Sequence, residues 1–321
     1  MELPTSMDAM LLPLALVEFI LGIIFLYKGS DVLVDGTSKA AAQLGISSLI
    51  ISVVLVGFGT SAPEFAISVG AAATNNPDIS LGNILGSCIA NILLVLGLAA
   101  VIRPIQVHQG IIKREAPIVL LATLILVGAS FVGLLDQYHL IGGILFIIFF
   151  ALFLYYFVRC ARQERIKGII YEKNDMKKNL LFIILGIAGV VFGAWLLIQS
   201  AVSLATLFDI APIFIGLTLV AVGTSLPELV VSVVASYKKE SDIAVGNVLG
   251  SNVFNILLIL GVAAVFLPLG AMAELDLSLI LVAVTLLIFP LIYTKKIISR
   301  WEGAFLLILY AIFILYISPV W

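Results

Sequence analysis

The chain has 321 residues, of which 62% are hydrophobic and 11% charged, and its formal net charge is −2. A soluble globular domain is close to half apolar and about a quarter charged, so this composition excludes a single water-facing fold. The balanced charge, without a stripe of Lys and Arg, argues against nucleic acid as a partner. The composition therefore indicates a polytopic membrane protein, with the lipid bilayer as its surroundings.

Apolar runs that match the thickness of a bilayer follow one another along the whole chain. A helix needs about 20 mainly apolar residues to cross the hydrocarbon core, and ten such runs can be marked. In chain order the predicted spans are 10–27, 47–73, 79–102, 116–135, 140–158, 179–204, 211–237, 243–267, 277–293 and 301–320. The predicted fold is an all-α polytopic membrane protein with ten transmembrane helices.

The basic residues predict the orientation, because loops rich in Lys and Arg stay on the cytoplasmic side. They fall in alternate loops, around positions 28–39, 103–114, 159–178, 238–239 and 295–300, whereas the other loops carry acids only. Both termini are therefore predicted to lie outside the cell. The protein is predicted to lie in the plasma membrane. The longest polar stretch, 159–178, is predicted to be a cytoplasmic linker. The two histidines, His108 and His139, are expected to be solvated in loops.

An internal repeat divides the chain in two. Gly57-Phe-Gly-Thr-Ser-Ala-Pro-Glu recurs as Ala221-Val-Gly-Thr-Ser-Leu-Pro-Glu, and a Gly-Asn-x-Leu-Gly-Ser block that starts at Gly82 recurs at Gly246. Both copies are 164 residues apart, as Glu64 and Glu228 are. Each unit holds five spans, an odd number, so the second copy must be inverted. The predicted domains are a first five-helix repeat, 1–158, the linker, and an inverted second repeat, 179–321.

Three carboxylates, Glu18, Glu64 and Glu228, fall inside the apolar runs, and no Lys, Arg or His accompanies them there. A charge at bilayer depth costs at least about 2.5 to 3.5 kcal/mol, so such residues need a functional reason. Glu18 has Phe182 at its equivalent position and is not expected in the site. The two equivalent glutamates without a basic partner favour a bound cation.

Neighbouring oxygen donors complete a site for a hard cation. Thr60 and Glu64 share one helix face, as do Thr224 and Glu228, because they are four residues apart. Ser87 and Asn91 repeat that spacing on the next span, as do Ser251 and Asn255. Oxygen ligands of this kind suit Ca²⁺, whereas a site for a soft metal would contain Cys or His.

Prolines and glycines in the same segments predict broken helices that approach closely. Pro63 and Pro227 should open the turn before them and free the carbonyl groups of Gly59 and Gly223. Two glycine pairs on the adjacent spans, Gly82/Gly86 and Gly246/Gly250, should bring backbones together. The bland alternative for one copy is a kinked helix with a protonated, hydrogen-bonded glutamate, and the second copy disfavours it.

These blocks resemble the two α-repeats of the sodium/calcium exchanger family of the calcium/cation antiporter superfamily, in its prokaryotic type. The resemblance covers the ten-span layout and implies a Ca²⁺ site on Glu64, Glu228, Thr60 and Thr224. The residues that it implies for Na⁺ binding or for lining the site are Gly57, Ser61, Ser87, Asn91, Ala221, Ser225, Ser251 and Asn255. Potassium-dependent relatives carry Asp at the position of Asn255, so K⁺ co-transport is disfavoured.

The expected function is secondary active exchange of Na⁺ for Ca²⁺ by alternating access, with protons as competitors and without a cofactor or an obligate protein partner. Proton-coupled relatives typically carry Gly-Asn in place of Gly-Thr-Ser, which favours Na⁺. Exchange of H⁺ for Ca²⁺, or transport of another divalent ion such as Mn²⁺, at the same glutamates stays open. A cation channel is a different class, which the duplication within one chain disfavours. An enzyme is not expected, because the sequence shows no catalytic nucleophile paired with a general base.

Overall fold

Helices make up nearly all of the residues that the computed structural model describes, which are 6–164, 176–207 and 221–317. In chain order they are α1 (Ser6–Leu44), α2 (Ser48–Thr60), α3 (Ala62–Ala73), α4 (Pro77–Ile102), α5 (Ala116–Phe131), α6 (His139–Glu164), α7 (Met176–Leu207), α8 (Ala221–Thr224), α9 (Leu226–Tyr237), α10 (Ser241–Phe266), α11 (Leu275–Lys295) and α12 (Arg300–Ile317). Turns of π-helix lie at Ser52–Val56, Asn91–Val95, Ile111–Glu115 and Phe254–Ile259. Two short strands, β1 (Ile105–Gln106) and β2 (Ile297–Ile298), pair antiparallel.

Seven of the described helices are long and apolar enough to cross a membrane, and the bent pair α2 and α3 gives an eighth span. The apolar helix α9 is shorter than a bilayer is thick. α5 has 16 residues and continues directly from the π-helical turn Ile111–Glu115. Residues 208–220, which include 211–220 of the predicted seventh span, lie outside the described residues, as do 165–175 of the predicted linker. The chain is thus a helical, multi-pass membrane protein.

The first helix is much longer than the predicted span 10–27. α1 has 39 residues, about 58 Å at 1.5 Å per residue, which is well beyond the hydrocarbon thickness of about 30 Å. The prediction was wrong at this end because charged residues that suggested a loop lie on the helix and are paired. Lys238 Nζ lies 2.7 Å from Asp31 Oδ1 and 2.6 Å from Asp35 Oδ1. Partial burial lowers the pKa of Lys238, but hydrogen bonds to both aspartates outweigh it and raise the pKa overall.

The centre of the fold is formed by α4 and α10. In the apolar stretch of each helix that is long enough to cross a membrane, 78% of the residues of α4 and 83% of those of α10 are buried. α10 touches α2 closely: a Cβ added to Gly250 would collide with the carbonyl oxygen of Val53, and one on Gly246 would lie 2.9 Å from Ser52 Cβ. The predicted close approach is confirmed for this glycine pair. A Cβ added to Gly82 or Gly86 would have no described atom within 4 Å beyond the helix's own backbone and its chain neighbours, so the described residues show no close approach at this pair.

α1 and α7 form a separate pair in which backbone packs on backbone. A Cβ on Gly29 would lie 2.7 Å from the amide nitrogen of Val190, and one on Gly193 would lie 2.6 Å from that of Leu26. Glycines permit such close approach between membrane helices, where packing rather than the hydrophobic effect holds helices together. Gly22 and Gly36, one heptad before and after Gly29, also lie against α7.

The loops with basic residues contact one another at one end of the molecule, and the loops whose charged residues are all acidic contact one another at the other end. At the end with the basic residues, β1 pairs with β2 and Ser38 Oγ donates to Glu240 Oε1 at 2.7 Å. At the other end, Asp136 accepts hydrogen bonds from the backbone of Ala271 and Met272 at 2.8 and 3.2 Å. The loops that the sequence places on one side therefore contact one another.

His108 is exposed in a loop, as expected, whereas His139 begins α6 and is half-buried, and each has a hydrogen-bonding partner that was not predicted. His108 Nδ1 lies 2.6 Å from Asp242 Oδ1, so it joins the loop after α4 to the start of α10. His139 Nδ1 lies 2.7 Å from the carbonyl oxygen of Ala264 and joins α6 to α10. Their partners are 134 and 125 residues away in the chain, and loop position alone does not reveal such contacts.

Candidate cation-binding site

Each repeat contains a helix that is broken at a serine. Between α2 and α3 the helix axis bends by 49° at Ser61, whose φ and ψ are −79° and 10°. Ser225, between α8 and α9, has φ and ψ of −85° and 5°. Pro63 and Pro227 follow two residues later and cannot donate the helical hydrogen bond, so the breaks lie where the sequence predicts them. The two glutamates consequently lie in the first turn of α3 and α9.

The two carboxylates are fully buried and are linked to the opposite repeat. Ser61 Oγ donates to Glu228 Oε1 at 3.0 Å, and Ser225 Oγ donates to Glu64 Oε1 at 3.4 Å. The other oxygen of each carboxylate, Oε2, has no hydrogen-bonding partner in the described part of the chain. Two ionised carboxylates in one buried cluster would repel each other. Because burying unpaired charges is costly, this arrangement favours a cation between them.

Further predicted oxygens surround Glu228. Ser251 Oγ lies 3.3 Å both from Glu228 Oε1 and from the carbonyl oxygen of Gly57, and 3.4 Å from Thr60 Oγ1. The Gly57 carbonyl also accepts the backbone N–H of Ser61 at 3.1 Å. Ser251 is thus within hydrogen-bond distance of three other predicted residues, which come from both repeats.

A second group of oxygens lies on α4 and α10, next to their π-helical turns. Ser87 Oγ, Asn91 Oδ1 and both polar atoms of the Asn255 carboxamide are buried and have no hydrogen-bonding partner among the residues described. Asn91 Nδ2 donates to Asn252 Oδ1 at 3.0 Å, which links the two central helices. Buried polar atoms are nearly always paired, so these orphaned oxygens are candidate ligands. Ala221 begins α8, and only its backbone is described.

Two asparagines at the site were missed by the sequence analysis, although both stand in the repeated Gly-Asn block. Asn247 Nδ2 donates to the carbonyl of Glu228 at 3.2 Å and to Ser232 Oγ at 3.0 Å. Its Oδ1 accepts the hydroxyl of Thr60 at 2.9 Å. Asn83 makes the equivalent contact with Thr224, whose hydroxyl lies 3.4 Å from Asn83 Oδ1. Their recurrence at the fixed offset was the signal that could have found them.

The chemistry of these donors suits a hard cation. The cluster offers two carboxylates together with hydroxyl, amide and carbonyl oxygens, the ligand types that Ca²⁺ takes with 6 to 8 oxygens in flexible geometry. Within the described ranges no group of three or more His, Cys, Asp or Glu could hold a metal ion. The candidate ligands named above are oxygens, unlike the nitrogen and sulfur ligands typical of zinc or copper sites.

Comparison with known proteins agrees with this chemistry. A family profile described as "Sodium/calcium exchanger protein" matches residues 14–159 and 178–318. An uncharacterised membrane protein of Methanocaldococcus jannaschii is 38% identical, with 92% of this chain and 95% of that protein covered. The sodium/calcium exchanger MaX1 of Methanosarcina acetivorans is 33% identical, over 92% of this chain and 96% of its own length. The solved structure of the sodium-calcium exchanger NCX_Mj superposes with a TM-score of 0.83 at 36% identity, covering 95% of this chain and 99% of that one. The chain belongs to the sodium/calcium exchanger family.

Proposed function

We propose that the protein is a secondary active antiporter that exchanges Na⁺ for Ca²⁺ across the membrane by alternating access. The observation that carries the proposal is the pair of buried, equivalent glutamates, each held by a serine of the opposite repeat and each with an unpartnered oxygen. No basic side chain is among the described contacts of either carboxylate. Two relatives, MaX1 and NCX_Mj, are described as sodium/calcium exchangers, which supports the choice of ions.

In this proposal Ca²⁺ and Na⁺ compete for one cluster of oxygens. Ca²⁺ is bound by Glu64, Glu228, Thr60 and Thr224, and its two charges balance the two carboxylates. Na⁺ uses the same glutamates, and the further ligands or lining groups are Ser61, Ser225, Ser87, Ser251, Asn91, Asn255 and the carbonyl groups of Gly57 and Ala221. Moving an empty cluster of two carboxylates through the membrane is costly, so the conformational change that switches access between the two sides requires a bound ion. The flows of Na⁺ and Ca²⁺ are therefore coupled.

The architecture that we propose for this mechanism is two inverted five-helix repeats, 1–158 and 179–321, joined by a cytoplasmic linker, 159–178. The profile matches one segment in each half. The contacts between Thr60 and Asn247 and between Thr224 and Asn83 interchange when each residue is replaced by its repeat equivalent. Exchange of the two repeats' conformations would give alternating access.

We propose that the protein lies in the plasma membrane and crosses it ten times. Both termini are outside the cell, and the end with the basic residues faces the cytoplasm. Lys239→Cys at the basic end and Gln137→Cys at the other end, both exposed, test this topology in a Cys160→Ala background. A membrane-impermeant maleimide added to intact cells should label only position 137. Labelling of position 239 alone would invert the proposed orientation, and labelling of both would contradict the separation of the two ends.

The exchange itself is tested by ⁴⁵Ca²⁺ uptake into proteoliposomes preloaded with Na⁺, compared with choline-loaded vesicles and with an imposed pH gradient. We expect saturable uptake that requires internal Na⁺. We also expect a higher KM for Ca²⁺ when the pH is lowered equally on both sides, because protons compete for the two coupled carboxylates. Uptake driven only by the pH gradient would contradict Na⁺ coupling, and non-saturable uptake that needs no counter-ion would indicate a channel.

A further inference from the structure

We infer that Asn83 and Asn247 are positioning residues, each of which orients the hydroxyl group of the opposite repeat's threonine so that its oxygen lone pairs are presented to the cation. The inference rests on the proposed cation antiport, because Thr60 and Thr224 are ligands only in that proposed site. It concerns residues that bind no ion themselves in the proposed ligand set.

The orientation of the Asn247 carboxamide is fixed by its own repeat. Nδ2 donates both of its hydrogens, to the carbonyl of Glu228 and to Ser232 Oγ. A carboxamide turned the other way would bring Oδ1 against the Glu228 carbonyl, which is another acceptor. Asn247 is fully buried, so water cannot relieve that conflict, and a buried acceptor without a donor is costly. Oδ1 must therefore face Thr60.

The direction of the Thr60 proton follows from that orientation. A threonine hydroxyl has one proton and two lone pairs, and only the lone pairs can bind a cation. Oδ1 of Asn247, at 2.9 Å, is the nearest acceptor, so the proton is directed at the carboxamide and the lone pairs stay available to a cation. The carbonyl of Val56, at 3.1 Å in the preceding turn, is a second acceptor. Loss of Asn247 should therefore weaken the ligand without abolishing it, because the hydroxyl is no longer tied to the opposite repeat.

The second copy of the arrangement is looser. Asn83 Nδ2 donates to Ser68 Oγ at 2.8 Å and lies 3.5 Å from the carbonyl of Glu64, and Thr224 Oγ1 lies 3.4 Å from Asn83 Oδ1. Asn83 is half-buried, whereas Asn247 is fully buried. We therefore expect Asn83 to be less strongly coupled to its threonine than Asn247 is.

A double-mutant cycle tests the inference. Ca²⁺ affinity is measured by calorimetry on the full-length protein for wild type, Thr60→Val, Asn247→Leu and the double variant. Asn247→Leu should raise the Kd about tenfold, the effect of one lost buried hydrogen bond. In the Thr60→Val background the same change should cost only about twofold, because the partner is already gone. Multiplicative effects in this cycle would overturn the inference.

A matched control separates positioning from general damage. Thr123 is a buried threonine of α5 whose hydroxyl donates to the carbonyl of Val119 at 2.8 Å, outside the site. Combined with Thr123→Val, Asn247→Leu should keep its full effect on the Kd. An equally reduced effect in that background would point to a structural role and overturn the inference.

The looser copy keeps the test possible if Asn247→Leu does not yield folded protein. In the cycle of Thr224→Val and Asn83→Leu, Asn83→Leu should then raise the Kd for Ca²⁺ more in wild type than in the Thr224→Val background, by a ratio above one but smaller than about fivefold. Equal effects in the two backgrounds would count against the inference. Failure of the proposed function is seen separately. A wild-type protein that binds no Ca²⁺ would remove the antiport proposal, whereas normal Ca²⁺ binding with multiplicative variants would remove only the role of the asparagines.

Discussion

Glu228→Gln should reduce Na⁺-dependent Ca²⁺ uptake into proteoliposomes at least about a hundredfold, and Glu64→Gln should do the same. Each change removes one of two buried carboxylates that the proposed site offers to a divalent cation. Loss of one partner from a buried, charge-paired site costs about 3 to 5 kcal/mol, which corresponds to a factor of more than about a hundred in affinity. The measurement is the initial rate of ⁴⁵Ca²⁺ uptake at several Ca²⁺ concentrations.

Glu18→Gln is the matched control, since it is the same substitution at a third intramembrane glutamate. Glu18 lies on α1 and is half-buried, and its repeat equivalent is Phe182. Uptake by Glu18→Gln should stay close to wild type, and all three variants should elute as monodisperse protein. Substantial uptake by either site variant, or an equal loss in the control, would refute the assignment of Glu64 and Glu228.

Gly29→Ala should lower the apparent Tm of the detergent-solubilised protein by several degrees. The added Cβ would lie 2.7 Å from the amide nitrogen of Val190 and 2.9 Å from the carbonyl carbon of Gly189. These neighbours are backbone atoms, so the clash can be relieved only by moving α1 and α7 apart. Overpacking of this kind typically costs about 1 to 3 kcal/mol, and each kcal/mol lowers the Tm of a large domain by about 2 to 4 °C.

Gly128→Ala is the control with the opposite expected sign. Gly128 lies in α5, where a Cβ added to it would have no described atom within 4 Å beyond the helix's own backbone and its chain neighbours. Alanine is a better helix former than glycine by up to about 1 kcal/mol, so the Tm should be unchanged or higher. Equal melting temperatures for Gly29→Ala and wild type would contradict the backbone packing of α1 on α7.

The chemistry of the site could be predicted from the sequence because it depends on residue type and local spacing. Glu64 and Glu228 stand out as carboxylates in apolar runs without a basic partner, and the cost of a buried charge makes that pattern informative. The prolines two residues after Ser61 and Ser225 predicted the breaks, because the missing N–H acts on the same helix. The fixed offset of 164 residues identified equivalent positions in the two halves.

Equivalence in sequence does not determine contact in space. That Thr60 meets Asn247 and that Ser61 meets Glu228 depends on how α2 and α3 pack against α9 and α10, and local spacing carries no information on packing between distant segments. The recurrence of Asn83 and Asn247 at the fixed offset marks them as equivalent, but it does not reveal which residues they contact. The same applies to His108 and His139, whose partners both lie on α10.

The sequence by itself determined the membrane class and the duplication, and it supplied the candidate oxygen donors, because hydropathy, offset and residue type are properties of the chain alone. Only the tertiary structure decided that α1 continues to Leu44 and that Lys238, which follows α9, pairs with Asp31 and Asp35 of α1. It also decided that Gly29 and Gly193 hold α1 against α7, and that the site joins both halves of the chain. These features depend on partners far away in sequence, which become neighbours only when the helices pack.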